Sequence, residues 1–251
     1  VQVRVVLALV RRELITRFGR ENIGFLWIMV EPMMFATFVG MLWHFTHGVS
    51  DHGIDVVAFV ATGYLPMVLF RSSMNRAVAS ISSNSGLMYH RQIKILDLVM
   101  VRFFIEYVGH MLAYVFVALA LFTLGFFPVP HDLAMFLLGW TYYAVFSFSI
   151  MLVMAPLSEM SEIVERFAGI TTYMMIPFSG AFTNVDWLTP GMQNAVLWSP
   201  PVHAMEMMRY GIFGEVIHPH YDFFYPLAWF GPTIALGLIL CRRLRRTLVV
   251  E

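Results

Sequence analysis

The sequence predicts an all-α integral membrane protein: six transmembrane helices, an N-terminal amphipathic interface helix and outer re-entrant half-helices. Three observations carry that fold class. Hydrophobic residues make up 59% of the 251 positions and charged ones only 13%, whereas soluble domains run at roughly half and about a quarter. The apolar residues are gathered into runs suited to a hydrocarbon core of roughly 30 Å, which takes about 20 residues of helix. The cations supply the third observation. Of the sixteen Lys and Arg, Arg209 alone falls in a segment assigned to the outer side. The positive-inside rule then puts both termini in the cytoplasm.

The elements follow in order. Residues 1–20 repeat Val3, Val6, Leu7, Val10, Leu14 and Phe18 at helical spacing, with Arg4, Arg11, Arg17 and Arg20 largely off that stripe, as in a helix lying in the membrane interface. Glu13 and Arg17 are spaced for an i,i+4 pair. No cleavage-site pattern accompanies these arginines, so no signal peptide is expected there. The first span covers 24–46 and contains Glu31-Pro32, an ionisable residue beside a helix breaker. The second covers 56–78 and ends in polar turns with Arg71 and Arg76, placed either to snorkel or to line a vestibule. A polar stretch, ASISSNSGLMYHRQIKILDLVMVR (79–102), separates it from the third span at 98–127. There Arg102, Glu106 and His110 stack on one helix face, which favours an intrahelical Arg102–Glu106 pair. The fourth span is 133–157, followed by a short polar turn, SEMSEIVER (158–166). The fifth, 163–185, is broken by Pro177 with Ser179-Gly180 close behind. Residues 186–222 hold two apolar pieces too short to span, 192–198 and 202–213, on either side of Pro200-Pro201. These suit half-helices protected by protein rather than lipid. The sixth span, 223–241, ends at Arg242, Arg243, Arg245 and Arg246. The whole chain reads as one transmembrane domain, 1–251, with an interface helix at 1–20, a polar connecting loop at 79–97 and outer half-helices at 186–222.

Several chemistries lose ground on the residues alone. The lone Cys241 excludes an internal disulfide and any multi-cysteine metal site. No G-x4-G-K-[ST] occurs, so ATP hydrolysis by that route is not expected in this chain, and no G-x-S-x-G nucleophile motif occurs either. An intramembrane metalloenzyme using His44, His47 and His52 stays as a remote alternative, because their spacing matches no helical zinc pair. Transport uses more of the sequence. Tyr64, Phe70, Tyr173, Phe178 and Trp187 are candidates for apolar faces along which sugar rings slide, weighed against simple packing between helices.

Three stretches together resemble one family: TRFGRENIGFLWIMVEP (16–32), NSGLMYHRQIKILD (84–97) and WSPPVHAMEMMR (198–209). They resemble the capsular polysaccharide export permeases of the KpsM/BexB type, within the ABC-2 exporters, over nearly the whole chain. The resemblance implies a homodimeric permease in the bacterial inner membrane, moving a lipid-linked acidic polysaccharide. ATP and Mg would be bound by a separate ABC ATPase subunit and no cofactor by this chain. The loop at 79–97 would hold a cytoplasmic coupling helix, with Asn84, Leu87, Tyr89, His90 and Arg91 contacting the ATPase. Glu159 and Glu162 would form a secondary contact. Arg71, Arg76, Arg91 and Lys94 would attract the acidic, anchored end of the substrate. The half-helices would shape a periplasmic exit gate and meet a periplasmic adaptor protein. Membrane lipids are expected neighbours and nucleic acid is not. O-antigen, teichoic-type and other lipid-linked glycan permeases share much of this pattern and form the alternative.

Overall fold

Asp55 opens the first full membrane-length helix by accepting from the amides of Val57 and Ala58 at 2.8 and 3.3 Å, the cap a helix N-terminus needs for its free donors. The computed structural model describes residues 2–18, 33–35, 37–42, 53–78, 80–84 and 93–248, together with the single positions 30, 45, 50, 51 and 86. Eight helices are labelled here in chain order: α1 (Gln2–Phe18), α2 (Val56–Ala77), α3 (Ile95–Thr123), α4 (Leu133–Met160), α5 (Glu162–Phe178), α6 (Pro190–Val196), α7 (Pro200–Phe213) and α8 (Phe224–Leu248). A short apolar helix at Met33–Leu42 falls within the first expected span, most of which, with Glu31 and Pro32, lies outside the described residues. Two two-residue strands, β1 (Ser50–Asp51) and β2 (Ile54–Asp55), pair antiparallel just before α2.

Among the described residues four helices, α2, α3, α4 and α8, are long and apolar enough to cross a membrane. The fifth expected span is shorter than its apolar run. Helix α5 has 17 residues and stops at Phe178, about 25 Å of helix, because Pro177 and the left-handed Gly180 (φ 69°) break the chain there. The turn expected at 158–166 narrows to Ser161, with α4 running to Met160 and α5 starting at Glu162. Helix α8 passes through Arg242 and Arg243 to Leu248 rather than ending before them, since arginine is a good helix former.

The helices sort into two ends. Near one end Ala77, Ile95, Met151, Leu152, Cys241 and Leu244 share a packed cluster, and α1 packs on the start of α3 through Leu9, Leu98, Val101 and Ile105. Helix α1 and the C-terminal end of α8 therefore sit at this connector end. At the opposite end the α3–α4 corner bonds to α7, His131 and Asp132 donating to the carbonyls of Ile212 and Gly211 at 3.3 and 2.8 Å. Buried serine and threonine hydroxyls such as Thr62 and Ser147 are satisfied inside their own helices, on Ala58 and Tyr143, which removes the cost of unmade hydrogen bonds there.

The first helix turns its apolar residues two ways. Leu9 is buried against α3, while Val3 and Leu7 of the expected stripe are 72% and 62% exposed. Glu13 reaches across to Arg102, Nε to Oε1 at 3.4 Å, and the expected partner Arg17 has its side chain outside the described residues.

Candidate functional site

Two polar joints organise the molecule, one at each end. The first gathers α1, α2, α3 and the connector between α2 and α3. Glu106 is almost fully buried on α3 and receives the Arg76 guanidinium from α2, Nε to Oε1 at 3.3 Å. His110, one turn on, has Nδ1 2.8 Å from the Glu106 carbonyl and Nε2 3.3 Å from the Ser72 hydroxyl. Arg102 donates to the Arg76 carbonyl at 3.3 Å and the Ser83 hydroxyl at 2.8 Å, besides its pair with Glu13. The expected intrahelical Arg102–Glu106 pair is thus replaced by two pairs between helices. Side chains on a helix lean toward its N-terminus, so Arg102 points back toward the connector and leaves Glu106 to the cation on α2.

The connector is held by the same joint. Asn84 is buried, donates to the Ser80 carbonyl at 3.0 Å, and accepts from Arg12 of α1 at 2.9 Å. Glu159, at the end of α4, accepts from the Ser82 amide at 2.7 Å. Asp97 caps α3 by accepting from the Lys94 amide at 3.0 Å and also accepts from Gln2 at 2.6 Å. Of the expected ATPase-coupling residues, Asn84 therefore sits in the connector and is held by α1, and Glu159 reaches the connector from α4. Glu162 is exposed and pairs with Arg166 one turn on, at 3.8 Å. Leu87, Tyr89, His90 and Arg91 lie outside the described residues, as do His44, His47 and His52.

The expected substrate-facing residues are spread out. Arg71 of α2 lies over the ring of Tyr173 on α5, 5.8 Å from its centroid, a cation–π distance that brings these two together. Phe178 is exposed at the end of α5 and Lys94 is exposed at the start of α3. Phe70 is buried and stacks on Phe146, while Tyr64 stacks on Phe35. Trp187 lies against Phe59 at the far end.

The second joint was not singled out from the sequence as a site. It is built on α7, which starts with Pro200-Pro201 in its first turn and stops at Gly214 (φ 62°), both favoured at those positions. Close backbone contact seats it. A Cβ on Gly211 would lie 2.5 Å from the Phe136 amide nitrogen, and one on Gly139 2.7 Å from the Ala204 carbonyl oxygen. Arg209 is fully buried and donates to the carbonyls of Thr183 and Ala181 at 2.6 and 2.7 Å. Glu206 accepts from the amides of Val185 and His220, both at 3.3 Å. Burial raises the Glu206 carboxyl pKa and lowers that of Arg209, and the attraction between the two opposes each shift. His203 has Nε2 2.8 Å from the Leu197 carbonyl and Nδ1 accepting from the Asp222 amide at 2.9 Å. These partners suit the neutral ring, and burial lowers its pKa in the same sense. The available signal was Glu206 and Arg209 three residues apart inside an otherwise apolar piece.

Comparison with known proteins places this architecture. Residues 4–213 match the family model described as ABC-2 type transporter. The chain is 36% identical over 217 residues to the Haemophilus influenzae protein named capsule polysaccharide export inner-membrane protein BexB, covering 86% of this chain and 82% of that one. It is 38% identical over 215 residues to the corresponding CtrC of Neisseria meningitidis serogroup B, covering 86% and 81%. It is 25% identical over 244 residues to the polysialic acid transport protein KpsM of Escherichia coli, covering 96% and 94%. The chain belongs to the ABC-2 type transporter family.

Proposed function

We propose that this chain is the membrane permease subunit of an exporter that moves lipid-linked capsular polysaccharide across the bacterial inner membrane. A separate ABC ATPase subunit binds ATP and Mg and drives it. The observation that carries the reading is the identity to BexB and CtrC, which extends over more than four-fifths of both chains. In this reading six spans cross the membrane, counting the first apolar run and α5, and the connector end faces the cytoplasm with both termini. The clustering of basic residues at that end supports the orientation.

The first joint supports a coupling role for the connector. A displacement of residues 80–94 by the ATPase acts on Ser82, Ser83 and Asn84, whose partners are Glu159 of α4, Arg102 of α3 and Arg12 of α1. Arg102 and Arg76 carry it on to the Glu106 side of α3. Two copies of the chain form the pore, with Arg71 and Tyr173 among its lining and the exposed apolar face of α5 turned to the partner copy or the pathway. The outward-facing Val3 and Leu7 of α1 meet lipid at the cytoplasmic surface. The half-helices α6 and α7 shape the periplasmic exit and meet the adaptor protein.

The test is a mild-detergent pull-down of the tagged chain at native expression, combined with deletion of its gene. The expected result is an ATPase subunit at about one-to-one, lost when 84–91 is replaced by a Gly/Ser linker, as a coupling element in a flexible linker cannot transmit displacement. Deletion removes surface capsule. Loss of O-antigen with capsule intact moves the substrate to the alternative glycan class, and an intact complex without any ATPase overturns the exporter reading.

A further inference from the structure

The segment from Ser179 to Val185 is the covalent link between α5 and the outer unit α6–α7. It leaves the helix immediately after Pro177, so the carbonyls at the end of α5 have no helical partners of their own. Ser179 meets the Ile176 carbonyl with its amide and hydroxyl at 3.4 and 2.8 Å, and the carbonyls beyond it find partners in the outer unit. The Ser199 hydroxyl, at the start of α7, donates to the Phe178 carbonyl at 2.6 Å. Arg209, three turns into α7, donates to both Ala181 and Thr183. Glu206 accepts from the amide of Val185. The link is therefore held on its carbonyl side by a cation and on its amide side by an anion, both from one helix.

This use of a buried arginine is unusual in its economy. A fully buried cation ordinarily needs a carboxylate close by, but the nearby Glu206 is engaged with backbone amides. The guanidinium instead spreads two N–H groups over two carbonyls two residues apart, which a planar fork can do and a single ammonium cannot. The Phe59 ring covers its face, 4.0 Å from the guanidinium carbon, and Trp187 packs on Phe59 at 4.7 Å. Gly63 of α2 closes the other side, where a Cβ would lie 1.8 Å from the Ala181 carbonyl oxygen. Helix α5 has few other fixtures of its own. Ala168 and Thr172 are its only buried residues, while Ile163, Phe167, Ile170, Met174 and Phe178 are exposed.

We propose that Arg209 is a positioning residue that clamps the outer end of α5 to α7, so that α5 and the half-helices move as one body. Resting on the export reading, this means that the outer side opens by movement of α5 together with α6–α7, not by α7 swinging free of α5. A purely structural buried arginine would instead stabilise the whole fold without regard to this link.

Amide hydrogen exchange on the purified full chain in nanodiscs separates the two. Arg209→Gln should speed exchange in peptides covering 179–187 by about ten-fold, the local opening expected from losing charge-assisted bonds. Peptides from the middle of α3 should not change, and Arg209→Lys should give an intermediate effect. Surface polysaccharide should fall by about ten-fold at an unchanged membrane level of the chain, as loss of one tenfold coupling implies. Should Arg209→Gln fail to insert, Ser199→Ala carries the same local measurement on the Phe178 carbonyl. Unchanged exchange at 179–187, or acceleration spread evenly over the chain, overturns the clamp. Local acceleration in a chain whose parent restores no surface polysaccharide upholds the clamp and overturns the export reading instead.

Discussion

At the connector end, charge is held by charge: Arg76 meets Glu106 and Arg102 meets Glu13, each pair joining two helices. At the opposite end a buried cation and a buried anion both turn to backbone, and glycines bring main chains into direct contact. The difference is one of tolerance. Ion pairs between long side chains keep their attraction through small displacements, because Coulomb energy falls off slowly with distance. Backbone seated on glycine does not, because overlap rises steeply once a contact closes. The connector end thus tolerates small shifts of its helices, and the far end does not.

The sharpest way to break that comparison is to fill a glycine seat. Gly63→Ala puts a methyl 1.8 Å from the Ala181 carbonyl oxygen, and the fold should lose about 3 kcal/mol or more, read as a collapse in the yield of monodisperse protein. A normal yield with an unchanged thermal midpoint would mean that this seat can shift, and the far end would lose its claim to rigidity.

A smaller effect is expected at the connector end, and it should be lopsided. Arg76→Ala takes the α2 cation away from the buried Glu106 carboxylate, while Glu106→Gln leaves a half-exposed arginine free to turn to water. The first should cost about 2 kcal/mol, less than a fully buried pair because Arg76 is partly exposed, and the second about 1 kcal/mol. Thermal unfolding in nanodiscs measures both. Equal losses would show that Glu106 does not depend on Arg76.

The smallest effect is the pH response of α7. His203 is held neutral, its folded pKa below the ordinary imidazole value of about 6.5 because of burial. Its contribution is therefore full above the unfolded pKa and is lost as pH falls through the lowered folded one. The thermal midpoint should drop as the pH falls below the ordinary imidazole range, by less than either loss above, and His203→Gln should flatten that part of the curve. An identical curve for the variant would remove His203 from the account.

Much of this was legible in the residues. Asp55 and Asp132 announce the starts of α2 and α4, and Pro200-Pro201 with Gly214 bracket α7. The resemblance carried by 16–32, 84–97 and 198–209 agrees with the family match over 4–213. Other features were not legible. Arg102, Glu106 and His110 share a face, and spacing alone favoured a local pair, yet the cation that reaches Glu106 comes from a different helix. The stripe on α1 reads as one face, yet its Val6 and Val10 pack toward α3 beside Leu9, which is not on the stripe, while Val3 and Leu7 look out.

What the sequence by itself determined is the membrane class, the places where helices begin and break, and the end at which cations gather. Those depend on local matters: hydropathy over about 20 residues, capping groups, and the lost donor of proline. Only the tertiary structure decided which charge answers which, and that Arg209 serves the carbonyls of Ala181 and Thr183. Partner choice depends on which helix faces meet and how far apart they stand, and residues 26 and 28 positions away from Arg209 become its neighbours only once α5, α7 and Gly63 of α2 have packed.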